Sequence, residues 1–129
     1  PDPAIVRDAD EIAVETGGSV ALTEDAALAV EGADVVVTDT WVSMGQEDQK
    51  AQRVKDFGAY QVDAALMAQA DAAAIFLHCL PAYRGLEITA SIFEAHADTI
   101  FTQAENRLHA QKAILAMLAI AFIKGRHAA

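Results

Sequence analysis

The segment FLHCLPAYRG, residues 76–85, places the only cysteine of the chain beside a histidine, at the end of an apolar run and directly before a proline. A free cysteine commonly serves as a small buried hydrophobe, but at such a position it can also be a thiol placed for chemistry. Two other stretches carry comparable groups. DVVVTD, residues 34–39, ends in Asp39 and leads into Thr40-Trp41-Val42-Ser43-Met44-Gly45, and AENR, residues 104–107, supplies Glu105, Asn106 and Arg107. A carboxylate, a thiol and a guanidinium at one place would form a site-like set. Each alone also has an ordinary reading. Asp39 can cap a turn, Cys79 can be structural, and His78 can be satisfied by a backbone carbonyl. Glu105 and Arg107 can be helix-surface charges, Trp41 can be packing, and Ser43-Met44-Gly45 can be a flexible turn.

The elements that would position these residues alternate along the chain. Asp2 and Pro3 read as an N-cap and a first-turn proline. Ile5, Ala9, Ile12 and Ala13 share one helical face, and Gly17-Gly18 closes that helix. SVALT (19–23) reads as a short strand and EDAALAVEG as a short helix. DVVVTD reads as a strand buried on both faces. Helical stretches follow near 47–56 and 63–70. AAIFLHCL (73–80) is a second continuous apolar strand, SIFEAHA is helical, TIFTQ (99–103) is a last strand, and AENRLHAQKAILAMLAIAFIK is a long terminal helix. Strand alternating with helix predicts an α/β fold, a parallel sheet with helices on both faces. Ligands of such sheets bind where loops leave the carboxyl ends of the strands. Asp39, His78-Cys79-Leu80 and Glu105-Asn106-Arg107 would all lie at such ends. The terminal helix is apolar almost all round from Ala113, which predicts cover on more than one side, from a further domain or a partner subunit.

Composition excludes several classes. The 129 residues suit one domain. A formal net charge of −10 argues against nucleic acid, while an anionic small substrate stays compatible through local groups. One cysteine excludes an internal disulfide and points to a reducing, cytoplasmic setting. The opening PDPAIVRDADEI is polar and acidic, unlike a signal peptide. The longest apolar stretch, Ala113 to Ile123, has eleven residues, too few for a membrane span. The four histidines lack metal-ligand spacing, so no metal is expected. Neither glycine-rich nucleotide loop is present, nor a nucleophile elbow, and no cofactor is expected.

DVVVTDTWVSMGQE, FLHCLP and QAENRLHAQKAIL, in this order, resemble ornithine carbamoyltransferase, of the aspartate/ornithine carbamoyltransferase superfamily, and specifically its second, ornithine-binding domain. Aspartate enzymes resemble HPLP where this chain has HCLP, so Cys79 speaks against aspartate. The resemblance implies a Rossmann-like domain and transfer of the carbamoyl group of carbamoyl phosphate to the δ-amine of ornithine, giving citrulline and phosphate. It implies that Asp39, Ser43 and the Met44 backbone hold ornithine, that Gly45 lets the loop close, and that Cys79 orients or deprotonates the amine. It further implies that Arg107 polarises the carbamoyl oxygen, that the Leu80 carbonyl holds the carbamoyl nitrogen, and that His78 lies near the carbamoyl group. A cytoplasmic trimer is implied as well.

The chain also departs from that family. An S-T-R-T-type phosphate loop is absent, as is the strand–helix–strand unit expected upstream of PDPAIV, with its ornithine-contacting asparagine. The expectation is therefore a partial ornithine-binding domain over residues 1–129, truncated at its N-terminal side and lacking a carbamoyl phosphate-binding domain. Such a piece of a transferase would be inactive alone. The alternatives are a non-catalytic ornithine-binding or interaction module of the same fold, or a carbamoyltransferase for a related amine such as putrescine.

Overall fold

The computed structural model describes residues 1–127. Helix α1, Pro3–Thr16, begins as its sequence dictates: an Asp2 carboxylate oxygen accepts from the Ala4 N–H at 2.7 Å, and Pro3 has no N–H to satisfy. Gly17 closes it in the left-handed region, φ 75°. Helix α2, Ala26–Val30, is capped by Asp25, which accepts from the N–H groups of Ala27 and Leu28.

Strand β1, Val35–Thr38, pairs in parallel with β2, Ile75–His78, in the register Val35↔Ile75 to Thr38↔His78. Parallel neighbours need a crossover. Here it consists of a 3₁₀ turn at Glu47–Gln49, helix α3 (Lys50–Phe57), a second 3₁₀ turn at Gly58–Tyr60, and the single turn α4 (Ala64–Met67), capped by Asp63. Beyond β2 a turn leads to α5, Ala90–Ala95, and then to α6, Ala97–His127. The core is built from Val36, Val62, Phe76, Ile88, Ile92, Phe93 and Ile100, with Phe76, Ile88 and Ile100 fully enclosed. The α/β class with a parallel sheet is thus the architecture of the chain.

Three local expectations are corrected. SVALT is not a strand: its residues are exposed, and among the described residues it has no ladder partner. An isolated pentapeptide cannot form a strand without a neighbour to take its backbone groups. TIFTQ lies inside α6 rather than in a strand. Its buried Ile100 and half-buried Gln103 and Ala104 follow helical spacing from Ala97, and no breaker separates them from AENR. Arg107 therefore sits well within the helix, not in its first turn. Finally, β1 and β2 are buried on one face only. Val36, Phe76 and His78 point into the core, while Val35, Val37 and Ile75 on the opposite face are exposed, Val37 by 64%.

The terminal helix matches its all-round apolar pattern: Leu108, Ile114, Leu115, Met117, Leu118 and Ile120 are all exposed. No described helix is long and apolar enough to cross a membrane.

The one-sided burial sets an expectation for stability. Truncating the enclosed ring in Phe76→Ala is expected to cost about 3–5 kcal/mol, whereas Val37→Ala on the open face should stay within about 0.5 kcal/mol. Chemical denaturation of the two variants measures the difference.

Candidate active site

The Thr38↔His78 pairing brings the next residue of each strand, Asp39 and Cys79, to the same sheet edge. The Cys79 thiol donates to Asp39 Oδ1 at 3.0 Å, and the Thr40 N–H donates to the same oxygen at 2.7 Å. Arg107, reaching over from α6, donates through Nη1 to the Cys79 carbonyl oxygen at 3.3 Å. The three residues selected from the sequence therefore meet at Cys79, whose thiol bonds the Asp39 carboxylate and whose backbone carbonyl accepts from the Arg107 guanidinium.

The charges follow from these contacts. The Cys79 S–H, then the Thr40 N–H, stabilise the Asp39 carboxylate and hold its pKa below the ordinary carboxylate value. The same bond works in reverse on sulfur. Asp39 stabilises the protonated thiol and pushes the Cys79 pKa up, helped by burial, while Arg107 pulls weakly the other way. Cys79 is thus held as a hydrogen-bond donor with its lone pairs free. The Arg107 guanidinium spends one N–H on the Cys79 carbonyl, and among the described residues it has no ion pair.

Ser43 and Met44 occupy the loop that follows Asp39. Its base is fixed: the buried Trp41 ring packs 6.2 Å from Phe57, and Arg53 Nη1 donates to the Trp41 carbonyl at 3.2 Å. Its tip is open. Gly45 sits at φ 84°, a conformation that residues with a Cβ disfavour, and Met44 is 97% exposed. A shallow cleft of about 120 Å³ lies between this loop and the turn after β2, lined by Ser43, Met44, Glu47, Lys50, Tyr83 and Leu86.

His78 is placed differently from its neighbour. Its ring is fully buried, Nδ1 accepts from the Leu80 N–H at 2.9 Å, and Nε2 bonds Glu87 Oε1 at 3.2 Å. Both ring nitrogens are used within the chain, so a direct carbamoyl contact from this ring does not fit the geometry. Leu80 follows with φ 55° and a cis bond to Pro81.

The sequence reading missed two residues. Glu87, completely buried, stands between Leu86 and Ile88, and its two apolar neighbours were the only available signal. Arg53 stands among many charges in the run 47–56, and nothing in the sequence distinguishes it.

The chain is similar to known proteins over most of its length. Residues 1–118 match the family described as aspartate/ornithine carbamoyltransferase, Asp/Orn binding domain. The ornithine carbamoyltransferase of Nitratiruptor sp. is 58% identical over 118 residues, covering 92% of this chain and 38% of that protein. That of Sulfurovum sp. is 60% identical over 117 residues, covering 91% of this chain and 38% of that protein. The crystal structure of the anabolic ornithine carbamoyltransferase from Campylobacter jejuni superposes with a TM-score of 0.88 at 45% identity, covering 93% of this chain and 40% of that one. These define a transcarbamoylase fold. The chain belongs to the aspartate/ornithine carbamoyltransferase family, through its Asp/Orn binding domain. It spans about two fifths of the length of the relatives it matches.

The Asp39–Cys79 bond makes a signed prediction. Because Asp39 raises the Cys79 pKa, alkylation of wild-type Cys79 should rise with pH along a curve centred above the ordinary thiol value of about 8.5. Asp39→Asn removes the charge and should move the curve down in pH, giving faster alkylation near neutrality. Iodoacetamide rates against pH measure it. Coincident curves would contradict the assignment.

Proposed function

We propose that this chain is the ornithine-binding, C-terminal portion of an ornithine carbamoyltransferase. The observation that carries the reading is the Asp39–Cys79–Arg107 chain at the carboxyl edge of the sheet. Family membership supports the same conclusion.

In this reading the depressed pKa of Asp39 keeps it ionised to accept from the α-ammonium of ornithine, with the Ser43 hydroxyl and the Met44 backbone adding polar contacts. The δ-ammonium has a pKa of about 10 in water and must lose a proton before it attacks. Cys79, its S–H directed at Asp39, turns a sulfur lone pair toward the amine to orient it; as the sulfur takes the amine's proton, its own S–H proton passes to Asp39. The amine nitrogen bonds to the carbamoyl carbon, the bond from that carbon to the phosphate oxygen breaks, and phosphate leaves. Arg107 stabilises the negative charge that develops on the carbamoyl oxygen as the amine adds and before the phosphate leaves, and the Leu80 carbonyl accepts from the carbamoyl N–H. A stand-alone binding module would have no use for such an arginine. Phosphate ligands come from protein outside these 129 residues, and the assembled enzyme is a cytoplasmic trimer.

The test is reconstitution. The chain alone should form no measurable citrulline, whereas joined to a carbamoyl phosphate-binding domain it should. In that joined enzyme Arg107→Ala should lower kcat by about a hundredfold or more, as for loss of a donor to a developing oxyanion. An unchanged kcat returns Arg107 to the role of a surface charge.

Asp39 also sets the amine preference. Putrescine lacks the α-ammonium, so Asp39→Ala should weaken ornithine far more, by well over tenfold given the roughly 2–5 kcal/mol cost of truncating a charged pair. The kcat/KM values for ornithine, putrescine and aspartate, before and after the substitution, give the answer. Equal losses for ornithine and putrescine would remove Asp39 from α-ammonium recognition.

A further inference from the structure

The His78–Glu87 pair is the only buried polar pair in the core of the described residues, and the chemistry above leaves it without a task. Its hydrogen bonds have a definite direction. The Leu80 N–H points at His78 Nδ1, so Nδ1 must carry a lone pair and the ring proton must sit on Nε2. That Nε2–H then donates to Glu87 Oε1. The same oxygen accepts the Tyr83 N–H at 2.6 Å. One carboxylate oxygen thus ties down both ends of the segment that contains Cys79, Leu80 and Pro81.

That segment needs holding. Leu80 lies at φ 55°, a left-handed conformation that a side chain with a Cβ disfavours and that persists only when surrounding contacts impose it. Glu87 is also a poor choice for packing alone: it is completely buried, and among the described residues its Oε2 has no partner. A buried acceptor left unsatisfied opposes folding. Such a group beside a strained turn at a reactive edge is better explained by the geometry it imposes.

We propose that Glu87 is a positioning residue: acting through His78, it fixes the Cys79–Leu80 backbone in the conformation that presents the thiol to Asp39. Glu87 selects the Nε2–H tautomer of His78, and that tautomer supplies the acceptor for the Leu80 N–H. Without Glu87 the ring can adopt the Nδ1–H form, which sets donor against donor at Leu80. The turn then loosens, and Cys79 moves away from Asp39.

Because Cys79 is the only cysteine, its alkylation by iodoacetamide reads this geometry directly in the 129-residue chain. Glu87→Ala should raise the rate at fixed pH by about threefold or more, since a thiol released from Asp39 ionises more readily. Glu87→Gln keeps an acceptor oxygen for both donors and should stay within about twofold of wild type. A folded Glu87→Ala chain with an unchanged rate, or a Glu87→Gln chain as perturbed as Glu87→Ala, overturns the proposal. If Glu87→Ala does not fold, nitrogen-15 NMR of His78 in the wild-type chain decides: the Nε2–H tautomer supports the mechanism and the Nδ1–H tautomer overturns it. The proposal rests on reading Cys79 and Leu80 as substrate-facing. That reading fails separately, if the joined enzyme makes no citrulline, and such a failure leaves the alkylation rates and the tautomer as they are.

Discussion

The register of two short parallel strands is the constraint on which the site depends. Thr38 opposite His78 sets Asp39 level with Cys79, and the period-2 alternation of a strand does the rest. Val36, Phe76 and His78 face the core. Continuing the alternation by one residue turns Asp39 and Cys79 away from it, where a thiol–carboxylate bond can form in reach of a ligand. Two adjacent residues, His78 and Cys79, thereby take opposite roles, one enclosed and one presented. Slipping the register by one residue would exchange the faces and bury the wrong group of each pair.

The third member of the chain arrives by helical rather than strand geometry. Ile100 is enclosed in the core beside Phe76, and Arg107 lies about two helical turns further along the same face of α6. The packing that seats α6 on the sheet therefore also aims the guanidinium at the Cys79 carbonyl. This requires a helix that runs unbroken from Ala97 through Arg107. Had TIFTQ formed a strand, Ile100 could not have fixed the rotation of the helix that carries Arg107.

This contrast separates what the sequence reveals from what it conceals. Caps are legible because their causes are local: Asp2 with Pro3, and Gly17 at φ 75°, act within a few residues. The ends of β1 and β2 are legible because apolar runs stop at polar residues and a proline. TIFTQ misleads because Thr, Ile and Phe favour strands, while the burial of Ile100 under β2 and the absence of a breaker favour helix. SVALT misleads because a strand requires a neighbour, which its own residues do not specify. Glu87 escapes notice because its role depends on a histidine nine positions earlier whose ring turns inward. Arg53 escapes because the contact that ties it to the loop is to a backbone carbonyl, which has no sequence signature.

The site is assembled in its internal geometry but remains open to water. Asp39 and Arg107 are exposed, and so is the loop tip at Met44. Exposure limits what its charges can do. Two unit charges about 4 Å apart interact by roughly 1 kcal/mol in bulk water, and by roughly 4 kcal/mol at the effective dielectric of a protein surface pocket. A guanidinium in such a position therefore exerts a stronger field when water is excluded around it. The exposed apolar surface is consistent with such cover: Val35, Val37 and Ile75 on the open sheet face, and Leu115, Met117 and Leu118 on α6, are unfavourable to leave in water. The cost of bringing further protein onto these surfaces is offset by apolar burial, and the same step would dry the site and strengthen its electrostatics. Apolar burial and the electrostatics of the site would thus gain from the same cover, while the 129 residues by themselves hold the Asp39 carboxylate, the Cys79 thiol and the Arg107 guanidinium at one edge.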